Sequence, residues 1–425
     1  MVAQALSEET MKTLSHSRRM LGESCVPIAI AGRRRIGLGR LWVGVLCLFF
    51  VAALANPALC EEHPSPPTLA IGALAPDFCL PGIDDQTHCL KDYAQSKVFV
   101  AVFTCNHCPT AQLYESRIKQ LAADYHDRGV ALVAIEPNSP KAVLLGEMGY
   151  TDVGDSLEDM KIRAAYRHFN FPYLYDGETQ NVSRAYGPTA TPHVFVFDAA
   201  RKLRYEGRVD NNPRESLVTA QDARNAIDAV LAGRPVPVAK TPSVGCSTKW
   251  LYKADMQKAE MNEIEAQPVD VTPAGVDDLK SLRKNSTDKL LLVNFWATWC
   301  APCVDEFPKL ETMYRMYGHR AFDLVTVSIN YPDEKPAVLA ALRKQHATSR
   351  NLIFGSTDIY SLIGAFGGEW NGAVPYTILI SPNGEAIYQH QGTVDPLELK
   401  RTIIANIADD GYSGHQAYWK TPSEK

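Results

Sequence analysis

The stretch from Leu290 to Pro308, LLLVNFWATWCAPCVDEFP, leaves this chain few folds to choose from. Its β-favouring apolar run, Leu291 to Phe295, leads to two cysteines, Cys300 and Cys303, where a helix should begin. Cysteines spaced in this way at a helix start suit disulfide exchange. The first, Cys300, would be exposed with its thiolate held by the helix N-terminus; the second, Cys303, one turn in, would resolve a mixed disulfide. The same plan occurs earlier. Lys97 to Phe103, KVFVAVF, reads as a strand buried in mid-sheet, and it delivers Thr104, Cys105, Asn106, His107, Cys108 and Pro109. Leu113, Ile118, Leu121 and Ala122 then recur at helical spacing.

At 425 residues the chain exceeds one ordinary core, and the repeated strand, dithiol and helix divide it into two similar α/β domains. Domain one is expected over residues 70–245. It would open on a hairpin, Ala73 to Leu90, that carries Cys79 and Cys89, either paired or separately buried. A strand at Ala131 to Ile135, a helical insertion from Lys141 to His168, strands at Tyr173 to Tyr175, His193 to Phe197 and Leu203 to Val209, and a closing helix at Ser216 to Ala232 should follow. Residues 246–271 read as a linker containing Cys246, which would be an extra resolving thiol or a structural cysteine. Domain two is expected over 272–408, with Thr272 capping and Pro273 opening a short helix. The tail, 409–425, should fray.

With 46% hydrophobic and 21% charged residues the chain reads as globular, and a net charge of -5 without a dense basic stretch beyond its N-terminus excludes a nucleic-acid footprint. Residues 1–60 read as an export signal: Arg33, Arg34, Arg35 and Arg40 precede the apolar run Leu41 to Ala55 and the small residues that follow. That run is short of the roughly 20 residues a span needs, so cleavage is the leading expectation and a retained membrane anchor the alternative. A proline-rich spacer, 61–69, follows. The destination would be the periplasm or another extracytoplasmic compartment, where disulfides persist.

Both dithiol stretches resemble the thioredoxin superfamily. With Trp296, Trp299, Pro302, Glu306 and Pro308 around its cysteines, domain two is similar to TlpA/ResA-like thiol:disulfide oxidoreductases; domain one, with Cys-Asn-His-Cys, is similar to exported redoxin-like proteins of AhpC/TSA type. The resemblance implies two tandem thioredoxin-like folds, each a central mixed sheet flanked by helices, exchanging disulfides without organic cofactor or metal. It implies redox disulfides Cys300–Cys303 and Cys105–Cys108, and cis prolines at Pro192 and Pro375 beside them. It also implies a free backbone edge at Thr191 and Val374 which, with Trp299, meets an extended substrate. Glu306 would tune the proton of Cys303, or else be a solvated first-turn glutamate. Protein disulfides and dithiols are the implied substrates, served by an upstream electron donor, soluble or membrane-bound.

The inner residues of the two dithiols differ. His107 can stabilise a thiolate at Cys105, and a stabilised reduced form makes a more oxidising disulfide, whereas Ala301 and Pro302 bring no charge. Domain one is therefore predicted to be the more oxidising, and a flexible linker would let the domains relay electrons. A joint zinc site is disfavoured because each pair ends a core strand. Cys105, Cys108 and His193 form a soft copper set, under which domain one would be a copper-handling or partner-binding module and only domain two redox-active. A peroxiredoxin-like peroxidase is the remaining alternative, but Pro-x-x-x-Thr-x-x-Cys is not matched, since Thr104 directly precedes Cys105.

Overall fold

Alternation with a period of two, buried on both sides, builds the centre of each sheet. The computed structural model describes residues 65–367, 370–409, 412 and 414–420; the export segment lies outside the described residues. After β1 (Cys79–Pro81) and β2 (Thr87–Cys89) comes β3 (Val98–Phe103). Val98, Val100 and Val102 enter one core, and Phe99, Ala101 and Phe103 the other. The chain continues through α1 (Pro109–Tyr125), β4 (Val130–Glu136), α2 (Leu157–Arg167), β5 (Tyr173–Tyr175) and α3 (Asn181–Tyr186). It then runs through β6 (Ala190–Thr191), β7 (His193–Phe197), β8 (Leu203–Gly207) and α4 (Asp222–Leu231). The sheet order is β5-β4-β3-β7-β8, with β3 parallel to β4 and antiparallel to β7. Cys79 faces Cys89 across the β1–β2 pair, and the two are joined as a disulfide.

The segment expected as a linker is built into domain one. There β9 (Cys246–Ser247) pairs with β6, Lys249 exchanges hydrogen bonds with Ser139 and Asn138, and Trp250 is buried. A polar helix, α5 (Ala254–Glu265), follows. The tether through which the domains would swing is thus largely pinned, because strand pairing and buried hydrogen bonds satisfy its backbone.

Domain two comprises β10 (Thr272–Ala274), α6 (Val276–Lys284), β11 (Leu290–Trp296), α7 (Ala301–Tyr317), β12 (Phe322–Ser328), α8 (Lys335–Lys344) and β13 (Arg350–Phe354). It is completed by α9 (Ile359–Phe366), β14 (Tyr376–Ile380), β15 (Ala386–Gln391), α10 (Pro396–Asn406) and α11 (His415–Lys420). Its order is β10-β13-β12-β11-β14-β15. Thr272 and Pro273 belong to a strand instead of opening a helix. β10 lies at the sheet edge, where a missing proline N–H is tolerated, and α6 starts after Gly275, whose N–H the Asp278 carboxylate accepts at 2.8 Å. Among the described residues no helix is long and apolar enough to cross a membrane.

The domains share a polar joint. Tyr317 Oη donates to Thr151 O at 2.8 Å and Arg320 Nη1 to Gly149 O at 2.9 Å. Buried Asp152 accepts from Arg163 at 2.6 Å and from Arg401 at 2.7 Å. The tail, expected to fray, contributes α11 to this joint: Tyr418 Oη donates to Glu115 at 2.5 Å and accepts from Arg163 at 3.0 Å, and Trp419 is buried.

Candidate active sites

In domain two, β11 ends at Trp296 and the chain turns into α7, with Cys300 as N-cap and Pro302 in the first turn. Cys300 and Cys303 are joined as a disulfide. Cys300 is only 6% exposed, so the first cysteine is not the exposed thiol expected; Trp296, Ala297 and Phe307 wall it in. Trp299 is exposed, at 65%. It lines a cleft of about 400 Å³ with Ile329, Tyr331, Phe354 and Ile359. The Val374–Pro375 bond is cis, and among the described residues Val374 takes part in no strand ladder. Glu306 is buried, which removes the solvated reading. Burial raises its pKa, while Val394 N–H at 3.1 Å and Asn294 Nδ2 at 3.2 Å donate to it.

In domain one the same junction is threaded differently. Helix α1 takes the second cysteine, Cys108, as N-cap and Pro109 as its first residue; the Ala111 N–H donates to Cys108 Sγ at 3.4 Å. Cys105 and Cys108 are both buried and stand as free thiols, not as the expected disulfide. Cys105 Sγ lies 3.1 Å from Thr191 Oγ1, and the Cys108 thiol reaches Thr191 O at 3.5 Å. Thr191–Pro192 is cis, yet its backbone edge is not free, because β6 already pairs with β9. The Cys246 N–H donates to Cys108 Sγ at 3.3 Å.

The charge of His107 acts on Cys108. Burial opposes an imidazolium at His107, but the Asp155 carboxylate, 2.5 Å from Nδ1, outweighs it and raises the pKa. Asp155 in turn is held low: burial would raise it, but the charge of His107, the Asn106 and His107 N–H groups at 3.0 Å and Asn138 Nδ2 at 3.0 Å prevail. Burial would likewise raise the Cys108 thiol, but hydrogen bonds from Cys105 and Cys246, the His107 charge and the Ala111 N–H bring it well below the ordinary thiol value. Cys105 is pushed well up by burial and by its hydrogen bond to Cys108. The preferred thiolate is therefore Cys108.

Sequence reading missed Asp155, Asn138 and Glu136 at this site. Glu136 is buried at the end of β4, pushed well up by burial and the Asp155 charge, and accepts from Tyr173 Oη at 3.0 Å. A glutamate closing an apolar strand, VALVAIE, was the available signal. Cys105, His107 and Asp155 offer ligand atoms within 4.8 Å of one another, but the carboxylate is already committed to His107 and its neighbours. His193 does not join the cysteines as a copper ligand. Its Nε2 lies 2.9 Å from Glu206, and its Nδ1 accepts from Thr189 N–H at 3.3 Å.

Two family models match the chain: AhpC/TSA over residues 71–206 and Redoxin over 268–404. The chain therefore carries two AhpC/TSA–Redoxin domains in tandem, with the thioredoxin-like α/β fold. It is similar to the thiol-disulfide oxidoreductase ResA of Oceanobacillus iheyensis, 27% identical over 31% of this chain and 62% of that protein. ResA of Geobacillus thermodenitrificans is 26% identical over 30% of this chain and 71% of that protein. An uncharacterized conserved protein from Geobacillus kaustophilus, known from its crystal structure, is 38% identical over 44% of this chain and 95% of that chain, with a TM-score of 0.39. The chain thus spans less than two thirds of the first of these curated relatives.

Proposed function

We propose that the chain is an exported thiol:disulfide oxidoreductase that uses both dithiols on protein substrates. The observation that carries this reading is the pair Cys300–Cys303, oxidised at the start of α7 and bordered by the exposed Trp299 and its cleft. The catalytic roles fall on Cys300 as attacking sulfur with Cys303 as its partner, and in domain one on the Cys105 and Cys108 pair with Cys108 as the preferred thiolate, with Pro375 and Pro192 beside them and Val374 and Trp299 along the substrate. In reduction, a cysteine thiolate attacks a substrate disulfide sulfur, one substrate thiol leaves, and the second cysteine releases the other while the enzyme pair becomes a disulfide. A donor of two electrons, a dithiol by class, must then regenerate it.

Domain one is the more oxidising of the two. Both pairs meet a helix N-terminus, but the thiolate at Cys108 is also stabilised by the charge of His107, which favours the reduced form, and Ala301 and Pro302 bring no charge. Export to an oxidising compartment is supported by the Cys79–Cys89 disulfide, which lies away from both dithiols.

The test is reduction of insulin disulfides by the full chain and by Cys300→Ser, Cys105→Ser and the double variant. Each single variant should lose the share of its own domain and the double variant all of it. Turnover that survives in the double variant refutes the reading, and a Cys105→Ser protein indistinguishable from the parent confines the chemistry to domain two.

A further inference from the structure

Domain one holds a third sulfur whose placement the exchange between Cys105 and Cys108 leaves unexplained. Cys246 packs against the small cluster formed by Cys105, Cys108 and Ala111. Its backbone N–H donates to Cys108 Sγ at 3.3 Å. Cys108 therefore shares one cluster with both other cysteines and takes a hydrogen bond from the backbone of Cys246.

The backbone carrying Cys246 is also specifically placed. Strand β9 pairs antiparallel with β6, Thr191 opposite Cys246, on the residues that precede cis Pro192. An extended segment added to an exposed edge is how a strand-like peptide is bound, main chain for affinity and side chains for specificity. The corresponding residue of domain two, Val374, takes part in no ladder among the described residues. Gly245 fixes the fit: a Cβ there would lie 1.8 Å from Thr191 O, so no larger residue lets the strand approach. Cys246 is moreover the accessible sulfur of the three. Cys105 and Cys108 are 3% and 0% exposed, whereas Cys246 is half-buried and lines a cleft of about 440 Å³ with Thr110, Leu113, Pro213, Arg214 and Gly245.

We propose that Cys246 is a third exchange thiol, forming a disulfide with Cys108 and carrying the oxidised state of the buried pair out to the cleft. The step rests on the reading that Cys105 and Cys108 exchange disulfides. The Cys246 thiolate attacks Cys108 Sγ of the Cys105–Cys108 disulfide; the Cys108–Cys246 bond forms, the Cys105–Cys108 bond breaks, and Cys105 leaves as a thiolate. Cys105 takes up the proton that Cys246 gave up, so no electrons enter or leave. The anionic sulfur of Cys108 holds the Cys246 proton on, and that charge is gone once Cys108 is in a disulfide. Starting from three thiols, oxidised glutathione forms the same bond by accepting two electrons and releasing two molecules of reduced glutathione.

The experiment uses the full chain with Cys300→Ser and Cys303→Ser, equilibrated with a glutathione redox buffer, alkylated in acid, digested and mapped by mass spectrometry. Adding Cys105→Ser should yield the Cys108 peptide linked to the Cys246 peptide as the main disulfide outside Cys79–Cys89. Finding Cys108 only free or glutathionylated overturns the proposal. Gly245→Val keeps every thiol but drives β9 off Thr191 O, and should cut the yield of that link several-fold; an unchanged yield overturns the assigned placement. Insulin turnover by the parent protein separates the two readings. Dependence on Cys105 without the Cys108–Cys246 link defeats this proposal alone, and the link without such dependence defeats the assigned activity of domain one while Cys246 stays paired.

Discussion

The two dithiols stand at the same junction of strand and helix, yet their helices begin one turn apart. Helix α7 takes the first cysteine, Cys300, as N-cap, and α1 the second, Cys108. The reason is the position of a proline. In Cys-Pro, Pro109 must be the first helical residue, and it holds Cys108 extended at φ -72° and ψ 118°. In Pro-Cys, Pro302 sits inside the first turn, so the helix has already begun. Equal spacing of two cysteines therefore does not decide which sulfur receives the field of the helix. The surroundings diverge in the same sense: Asp155, His107 and a third thiol around the first pair, an apolar wall of Trp296 and Phe307 around the second.

Four changes would break or sharpen this contrast. The largest effect is expected at the joint on which both halves lean: Asp152→Ala leaves the fully buried Arg163 and its neighbour Arg401 without their shared carboxylate, and should cost about 3–5 kcal/mol in denaturant unfolding. A loss confined to one domain would mean that the joint binds them weakly. Acidification comes next. Burial and the Arg320 charge hold His415 down at about 4 from 6.5, so its contribution is complete above the unfolded value and is lost as pH falls through that window, about 2 kcal/mol by pH 5. Hydrogen exchange should then rise in α11 and around Cys105 to Gln112 before it rises near Cys300. His107→Ala should move the glutathione equilibrium of Cys105/Cys108 about tenfold towards the disulfide, ~30 mV, and leave Cys300–Cys303 unmoved. Equal shifts in both pairs would erase the electrostatic distinction. The smallest change is expected from Glu306→Gln. Its hydrogen bonds run to Asn294 and Val394 instead of Cys303, so turnover at domain two should drop only about fivefold, with loss of an acid limb set above the usual carboxylate range.

Much of this was legible in the chain itself. Continuous apolar strands ending in cysteines located β3, β11 and both junctions, and Ala-Thr-Pro-His and Ala-Val-Pro-Tyr located the two cis prolines before β7 and β14. What escaped depends on residues remote in sequence. Asp155 reaches His107 from a loop 48 residues away, and no local pattern marks it. Helix α11 is six residues long, too short to declare itself by periodicity, and it is held by contacts to α1 and α2. Thr272 and Pro273 carry a good helix-start pattern that an edge strand accepts equally well. The order of Cys and Pro, by contrast, was visible throughout and foretells the divergent caps.

Helix α11 has one more consequence. His415 Nε2 lies 2.9 Å from Gln112 Oε1, and Gln112 Nε2 donates to Asn106 O at 2.8 Å, inside the first dithiol. A residue that braces the loop of Cys105 and Cys108 thus follows Gln112 in the chain by 303 residues. While the chain emerges, the second dithiol can be completed from residues that precede this helix, whereas the first must wait for the helix itself before its loop is braced. The order in which the two sites mature is then the reverse of the order in which they are encoded.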